Sequence, residues 1–200
     1  MPKFIALCGY PKAGKSEVQK IISELYGYES VDDSEALRDA GKVLYNLTDW
    51  HVSTQPGKAS LIDIAGKQIT VRKALGELGK FFEAQDPFHF PRLAIAKAVE
   101  RAPEGRFVFA SVRRDQPIFF RETGEALIIE VTRKGTEARD DFDEYDRSCL
   151  DFSIENILDE DDLEGSKARL RARVAEMLDP ILERKELAPA QIRRILEPTD

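Results

Sequence analysis

Residues 9–16 of this chain are Gly-Tyr-Pro-Lys-Ala-Gly-Lys-Ser, and they match the pattern G-x-x-x-x-G-K-[ST]. The apolar run from Lys3 to Cys8 before them is typical of a buried strand, and the apolar residues between Ser16 and Leu25 have helical spacing. Glycines in such a loop let successive backbone N–H groups turn toward phosphate oxygens, and the helix that follows adds its positive N-terminus. The stretch therefore predicts a site for a nucleoside triphosphate.

The motif also predicts roles for individual residues. Lys15 would contact the β- and γ-phosphates and stabilise the transferred group, and Ser16 would offer its hydroxyl to Mg²⁺. ATP and Mg²⁺ are therefore the predicted cofactors. The predicted ATP-binding residues are Gly9, Lys12, Ala13, Gly14, Lys15 and Ser16.

Strand-like and helix-like segments alternate along the rest of the chain, which predicts an α/β fold with a mostly parallel sheet. The predicted strands are residues 3–8, 29–31, 106–112, 126–131 and 149–154, with a small hairpin inside 60–71. The predicted helices are residues 16–25, a helix after Ser34, 70–82, 91–102, 162–182 and 189–196. Residues 45–58 lack periodicity and are predicted to be a loop. No repeat or low-complexity linker divides the chain, so residues 1–200 are expected to form one domain.

The composition is that of an ordinary soluble protein, with 42% hydrophobic and 34% charged residues. No apolar run approaches the roughly 20 residues that cross a bilayer, and the N-terminus lacks a signal-peptide core. We therefore expect a cytoplasmic protein without a membrane partner. The net charge of −7 argues against a broad nucleic-acid surface. Cys8 and Cys149 are expected to be reduced, and the widely separated His51 and His89 do not predict a zinc site.

The loop motif alone does not identify what receives the phosphoryl group. The chain lacks the N-K-x-D motif of GTPases and is short for a motor or a transporter ATPase, which favours a small-molecule kinase. Arg72 lies near a predicted helix start, Arg113 and Arg114 end the third predicted strand, and Arg133 ends the fourth. Ligands bind at the C-terminal ends of parallel strands, where arginines can clamp phosphates and neutralise developing charge.

Four segments together resemble the deoxynucleoside monophosphate kinases of phages and bacterial prophages. They are GYPKAGKS at 9–16, ITVRKALGELG at 69–79, FVFASVRRDQPIFFRETGEALIIEVTRKG at 107–135 and LDFSIEN at 150–156. The resemblance implies a P-loop NTPase three-layer sandwich of adenylate-kinase type, with a mostly parallel five-stranded sheet. It also implies an acceptor-binding region at about 45–90 and a lid at about 133–148.

The resemblance implies further site residues. Arg72 and Arg113 would face the acceptor phosphate, and Asp32 or Asp33 would lie near the acceptor or its metal. The implied catalytic residues are Lys15, Arg113 and Arg133, and the implied lid arginines are Arg133, Arg139 and Arg147. The sequence departs from the family at Ala110-Ser111, where relatives often have an acid before Val-Arg. Mg²⁺ would then use Ser16, water and one of Asp32, Asp33 and Asp115.

Two further expectations concern which residues contact the acceptor base and whether the chain forms a homodimer. Among the aromatic residues of the acceptor-binding region, Trp50 and Phe88 are the best candidates to stack on a base. The C-terminal segment has an apolar side, which could form a homodimer or pack on its own domain. That side consists of Leu187, Ile192, Ile195 and Leu196.

The expected activity is transfer of the γ-phosphoryl of ATP to a deoxynucleoside 5′-monophosphate, giving the diphosphate. Two alternatives stay open. The acceptor could be a modified pyrimidine in DNA or a phosphorylated metabolite. The chain could also be a nucleotide-binding module without kinase activity, which the missing acid at Ala110-Ser111 would favour.

Overall fold

The computed structural model describes residues 1–139, 141 and 143–182. Within them the elements follow in the order β1 (Phe4–Cys8), α1 (Lys15–Tyr26), β2 (Glu29–Val31), α2 (Glu35–Tyr45), α3 (Asp49–Ser53), α4 (Gln55–Ala59), β3 (Leu61–Ile64), β4 (Lys67–Thr70), α5 (Val71–Glu83), α6 (His89–Arg101), β5 (Phe107–Phe109), α7 (Gln116–Glu122), β6 (Ala126–Thr132), β7 (Phe152–Glu155) and α8 (Leu163–Leu182). The helix predicted at 189–196, with its apolar side, lies outside the described residues.

Five strands form a parallel sheet in the order β2-β5-β1-β6-β7, so β1 lies at its centre. Ile5 of β1 is in register with Val108 of β5 on one side and with Leu127 of β6 on the other. The hairpin predicted within 60–71 forms from β3 and β4 as a separate antiparallel pair. This arrangement confirms the predicted mostly parallel five-stranded sheet. It also brings the C-terminal ends of its strands to one edge, where open parallel sheets bind ligands.

Helices cover both faces of the sheet, which gives the three-layer sandwich. Because side chains alternate along a strand, β1 contributes to two separate cores. Ile5 and Leu7 pack with α1 and α8 on one face. Phe4, Ala6 and Cys8 pack with α6 and α7 on the other face. The phosphate loop therefore begins at a strand that is buried on both sides.

The two cysteines both lie in the core that β1 forms with α6 and α7. Cys8 ends β1, Cys149 precedes β7, and both thiols are buried and unbonded to each other. Burial raises the pKa of Cys8. These thiols serve as apolar packing groups rather than as surface nucleophiles.

The structure differs from the sequence-based prediction in several elements. Residues 45–58 contain α3 and most of α4, two helices that are too short to show helical periodicity and that start at local caps instead. Thr48 and His51 form a capping box, and the Thr54 hydroxyl accepts a hydrogen bond from the Gly57 N–H at 2.9 Å. Helix α7 was not predicted from the sequence, and the last strand begins at Phe152 rather than at residue 149.

The helices α2 and α5 form a small layer beside the sheet with apolar clusters of their own. Gly41 of α2 lies against Leu75 of α5, and a Cβ at Gly41 would collide with the Leu75 side chain. One cluster contains Leu37, Leu78 and Phe90. This close helix pairing positions one wall of the cavity described below. None of the described helices is both long and apolar enough to cross a membrane.

Candidate functional site

The phosphate loop, residues 9–16, connects the end of β1 to the start of α1. Gly9 and Gly14 have φ angles of 140° and 105°, in a region that residues with a Cβ avoid. A Cβ on Gly9 would collide with the carbonyl oxygen of Val131, and one on Gly14 would collide with the side chain of Asn156. Backbone conformation and close approach therefore both require the glycines of the motif.

Lys15 turns back over this loop. Its Nζ donates hydrogen bonds to the carbonyl oxygens of Gly9 at 2.6 Å and Tyr10 at 3.0 Å. Burial lowers the pKa of Lys15 to about 8, and the nearby Arg113 guanidinium acts in the same direction. Ser16 is exposed in the first turn of α1. An ammonium group, a hydroxyl and a helix N-terminus thus share one short stretch, which suits a polyphosphate ligand.

Two residues from outside the motif hold this loop in place. Asn156, just after β7, is buried and its Nδ2 donates to the carbonyl oxygen of Ala13 at 2.9 Å. Arg133, after β6, places Nη1 at 3.5 Å from the carbonyl oxygen of Lys12. The resemblance includes Asn156 at the end of its last segment but gives it no role. Its partner Ala13 is 143 residues away in the sequence, so no local pattern signals this role.

A cavity of about 230 Å³ opens at the C-terminal ends of β2 and β5, and we call it the basic cavity. Five cationic side chains line it: Arg38, Lys58, Arg72, Arg113 and Arg139. The other lining residues are Asp33, Ser34, Leu37, Leu75, Gly76, Glu83, Phe90, Ser111, Gln116 and Asp143. The region predicted to bind the acceptor, 45–90, supplies only part of this lining.

The cations of this cavity influence one another. Burial lowers the pKa of Lys58, and three neighbouring guanidinium groups act in the same direction, those of Arg38, Arg72 and Arg113. Arg113 also lowers the pKa of Lys15, so its charge acts on both the cavity and the phosphate loop. Such a cluster attracts an anion. Arg38 and Lys58 were not predicted as site residues, because a lone cation on a helix or in a predicted loop has no distinguishing sequence pattern.

The two predicted acids after β2 have different environments. Asp32 is exposed and forms an ion pair with Arg38. Asp33 is buried, and its Oδ2 accepts a hydrogen bond from the Ser111 N–H at 3.0 Å. Its Oδ1 has no hydrogen-bond partner among the described residues. Burial raises the pKa of Asp33 to about 6, against the opposing effect of the Ser111 hydrogen bonds and the Arg113 charge.

The acidic segment 133–148 contributes to the basic cavity as well as to its surroundings. Arg113 donates a hydrogen bond from Nη1 to Oδ1 of Asp143 at 2.7 Å, in a largely buried ion pair. The backbone N–H of Arg139 donates to the other carboxylate oxygen of Asp143 at 3.3 Å. Asp141 instead pairs with Lys80 outside the cavity.

Arg147 lies beside the phosphate loop and not in the basic cavity. Its Nη2 donates to the Tyr10 hydroxyl at 3.0 Å, and its Nε donates to Glu130 Oε1 at 3.1 Å. Its guanidinium carbon is 5.3 Å from the Tyr10 ring centroid and 5.1 Å from that of Tyr145. The three predicted lid arginines are therefore divided: Arg139 lines the cavity, whereas Arg133 and Arg147 flank the loop.

The aromatic residues predicted to stack on a base lie elsewhere. Trp50 is half exposed on α3 and makes an edge contact with His51. Phe88 precedes α6 and packs on Phe119 of α7, with ring centroids 5.5 Å apart. Neither side chain lines the basic cavity, where the aromatic residue is Phe90. The start of α6 turns Phe88 and Phe90 to different sides, so that of these two residues only Phe90 lines the basic cavity.

The residues present fit ATP with Mg²⁺. Ser16 offers an exposed hydroxyl in the first turn of α1. Asp33 places a buried carboxylate beside Ser111, where the third predicted strand has no acid, and one of its oxygens has no hydrogen-bond partner among the described residues. Asp115 is exposed at the start of α7. Mg²⁺ bound with nucleotide needs only one or two protein ligands, since phosphates and water supply the others.

Known proteins are similar in fold to this chain at low sequence identity. Neither protein-family models nor curated proteins give a match to the chain. The dephospho-CoA kinase from Campylobacter jejuni is similar in structure, with a TM-score of 0.51 and 12% identity over 92% of this chain and 98% of that chain. A gluconokinase from Sinorhizobium meliloti 1021 is more distant, with a TM-score of 0.38 and 17% identity over 89% of this chain and 96% of that chain. Together with the sheet order, the first of these likenesses establishes that the chain has the α/β P-loop NTPase fold.

Proposed function

We propose that this chain is a kinase that transfers the γ-phosphoryl group of ATP to the 5′-phosphate of a deoxynucleoside monophosphate. The proposal rests on the basic cavity. Arg113 lines this cavity, and its charge acts both on Lys58 there and on Lys15 in the phosphate loop. A phosphate held by Arg38, Lys58 and Arg72 would be oriented toward the nucleotide bound at Lys15. Positioning two anions in this way supplies most of the catalysis that phosphoryl transfer needs.

The proposed reaction needs no base, because an acceptor phosphate already presents an oxyanion. One of its oxygens forms a bond to the γ-phosphorus, the bond from that phosphorus to the β–γ bridging oxygen breaks, and ADP leaves. Lys15 and Arg113 would stabilise the charge on the transferred group. Mg²⁺ bound with ATP would supply further charge neutralisation at the β- and γ-phosphates.

The test is ADP formation with Mg²⁺ and ATP against a panel of deoxy- and ribonucleoside monophosphates. We expect turnover with one or a few deoxynucleotides and its loss in Lys15→Ala. Arg72→Ala should raise the KM for the acceptor about tenfold or more and leave ATP binding unchanged. Lys73→Ala, an exposed neighbour outside the cavity lining, is the matched control. Turnover that Lys15→Ala retains would exclude the phosphate loop as the ATP site.

A second acceptor class is favoured by one observation, the buried Asp33. A hydroxyl acceptor, such as that of a phosphorylated metabolite or a modified pyrimidine, must lose a proton as it attacks, and a carboxylate with a pKa near 6 can accept it.

Asp33→Asn distinguishes the two acceptor classes. For a hydroxyl acceptor, kcat should fall about 10²–10⁴-fold. For a phosphate acceptor the loss should be smaller and should be relieved in part by raised Mg²⁺, since only the metal environment changes. Measuring kcat for the variant at several Mg²⁺ concentrations decides between them.

A further inference from the structure

One wall of the basic cavity carries a buried carboxylate that the proposed phosphate site does not use. Glu83, the last residue of α5, is buried and lines the cavity. Its Oε2 accepts no hydrogen bond among the described residues and forms only a long ion pair with Arg114, whose Nε lies 3.4 Å away. A buried carboxylate oxygen that is held only by so long a contact gains from a further donor, which a ligand can supply.

Gln116 fixes what Glu83 presents to the cavity. Its Nε2 donates to Glu83 Oε1 at 3.1 Å, and its Oε1 accepts from the backbone N–H of Arg113 at 3.1 Å. Because a backbone N–H can only donate, the amide oxygen must face Arg113 and the amide nitrogen must face Glu83. The NH₂ group keeps a second proton, and each carboxylate oxygen can accept a further bond. To a ligand, the pair therefore offers the second amide proton of Gln116 as a donor and then the two carboxylate oxygens of Glu83 as acceptors.

The position of Glu83 separates it from the phosphate end of the cavity. Arg72 and Glu83 lie at opposite ends of α5, about 16 Å apart along the helix axis. Both line the cavity, with Leu75 and Gly76 between them on the same helix. A ligand whose phosphate is bound near Arg72 therefore extends along α5 with its far end toward Glu83.

We propose that Glu83 and Gln116 read the base of the acceptor and select guanine. This inference rests on the proposed nucleotide acceptor and names its base. The Watson–Crick edge of guanine carries the O6 acceptor, the N1–H donor and the N2 amino donor in that order. Gln116 Nε2 matches O6, and the two carboxylate oxygens of Glu83 match N1–H and the N2 amino group. Thymine, by contrast, would place its O2 carbonyl against the carboxylate, and adenine would place its unprotonated N1 there.

The experiment is equilibrium binding of dGMP, dIMP, dAMP, dCMP and TMP to the full chain by titration calorimetry without ATP. dIMP is dGMP without the 2-amino group, so their ratio isolates one contact. We expect dGMP to bind most tightly of the five and at least about tenfold more tightly than dIMP, because an unfilled buried acceptor is penalised. Glu83→Gln should reduce the dGMP to dIMP ratio to within about threefold. Glu77→Gln, an exposed glutamate of α5 outside the cavity lining, should keep the full ratio.

The outcomes separate this inference from the proposed function. Equal binding of dGMP and dIMP by the unaltered chain, or tighter binding of another base, would overturn the role of Glu83 even if phosphoryl transfer is found. The same holds if Glu83→Gln keeps the wild-type ratio. If Glu83 determines the dGMP to dIMP ratio but no phosphoryl transfer is found, the result would support base recognition by Glu83 and refute the proposed kinase activity. Binding of no nucleoside monophosphate would overturn both.

Discussion

At the residue scale, the environment of Lys15 connects the two halves of the site. Its ammonium group is bonded to two carbonyl oxygens of its own loop, yet burial and the charge of Arg113 favour the neutral amine. A polyphosphate would relieve this conflict, because it supplies negative charge and draws Lys15 away from the loop carbonyls. The lowered pKa of Lys15 thus indicates that the site lacks negative charge, which a bound anion would supply.

This environment predicts that ATP affinity falls as pH rises. The pKa of free Lys15 is about 8, so the amine is mostly charged at pH 7 and mostly neutral at pH 9. Bound ATP requires the charged form, so its Kd should increase about tenfold over that range. Titration of ATP at fixed Mg²⁺ across pH 7–9 measures the effect. Lys15→Arg stays protonated and should bind more weakly but with a flat profile. An equally steep profile in that variant would assign the titration to another group.

At the scale of elements, most residues of the phosphate loop and the basic cavity lie at or near the ends of strands and helices. The sequence alone allowed β1, the phosphate loop and α1 to be predicted, because the motif and the apolar patterns are local. It did not allow the basic cavity to be predicted in full, since Arg38, Lys58 and Glu83 meet only through the packing of α2, α4 and α5. Asn156 was likewise out of reach, because its partner Ala13 is remote in sequence.

Asn156, at the end of β7, should stabilise the phosphate loop. Asn156→Ala leaves the carbonyl oxygen of Ala13 without its donor and opens a void beside Gly14. We expect the free energy of unfolding to fall by about 1–3 kcal/mol and the Kd for ATP to rise several-fold. Urea unfolding and ATP titration measure the two effects. Ser153→Ala, an exposed position on the same strand, should change stability by less than about 0.5 kcal/mol.

Asp143, in the segment 133–148, should compete with the acceptor for Arg113. Its carboxylate pairs with Arg113, which lines the same cavity as the cations that are proposed to hold the acceptor phosphate. Asp143→Asn removes the negative charge but keeps an oxygen acceptor, so we expect the KM for the acceptor to fall about 3–10-fold. Asp141→Asn, whose partner Lys80 lies outside the cavity, is the control and should leave KM unchanged. A higher KM in Asp143→Asn would show instead that the pair positions Arg113.

At the scale of the whole molecule, the chain is built from unequal cores. The sheet has a large core on each face, whereas α2 to α5 are held by small clusters that include Leu47, Val52 and Val71. Elements with few buried apolar contacts open more readily than a central sheet. The cavity is formed partly by this weaker layer, so its shape and its ligand should stabilise each other.

Hydrogen exchange should reveal this difference. Amides of α2 and α5 should exchange at least about 10²-fold faster than those of β1 and β6, because they open without global unfolding. A saturating acceptor nucleotide should slow exchange in α2 and α5 more than in the sheet. Mass-spectrometric exchange on the full chain, with and without dGMP, measures both. Uniform protection across all elements would contradict the unequal cores.

The burial of Cys8 gives the unaltered chain a built-in chemical reporter. Its thiol lies in the central strand, where neither access nor ionisation permits attack on a disulfide reagent. Reaction at Cys8 then requires the sheet to open, so its rate under native conditions follows global unfolding. Peptide mapping separates this modification from that of Cys149. The slowing of Cys8 modification by ATP or by a nucleotide would therefore report binding free energy without a dye, a tag or a measured turnover.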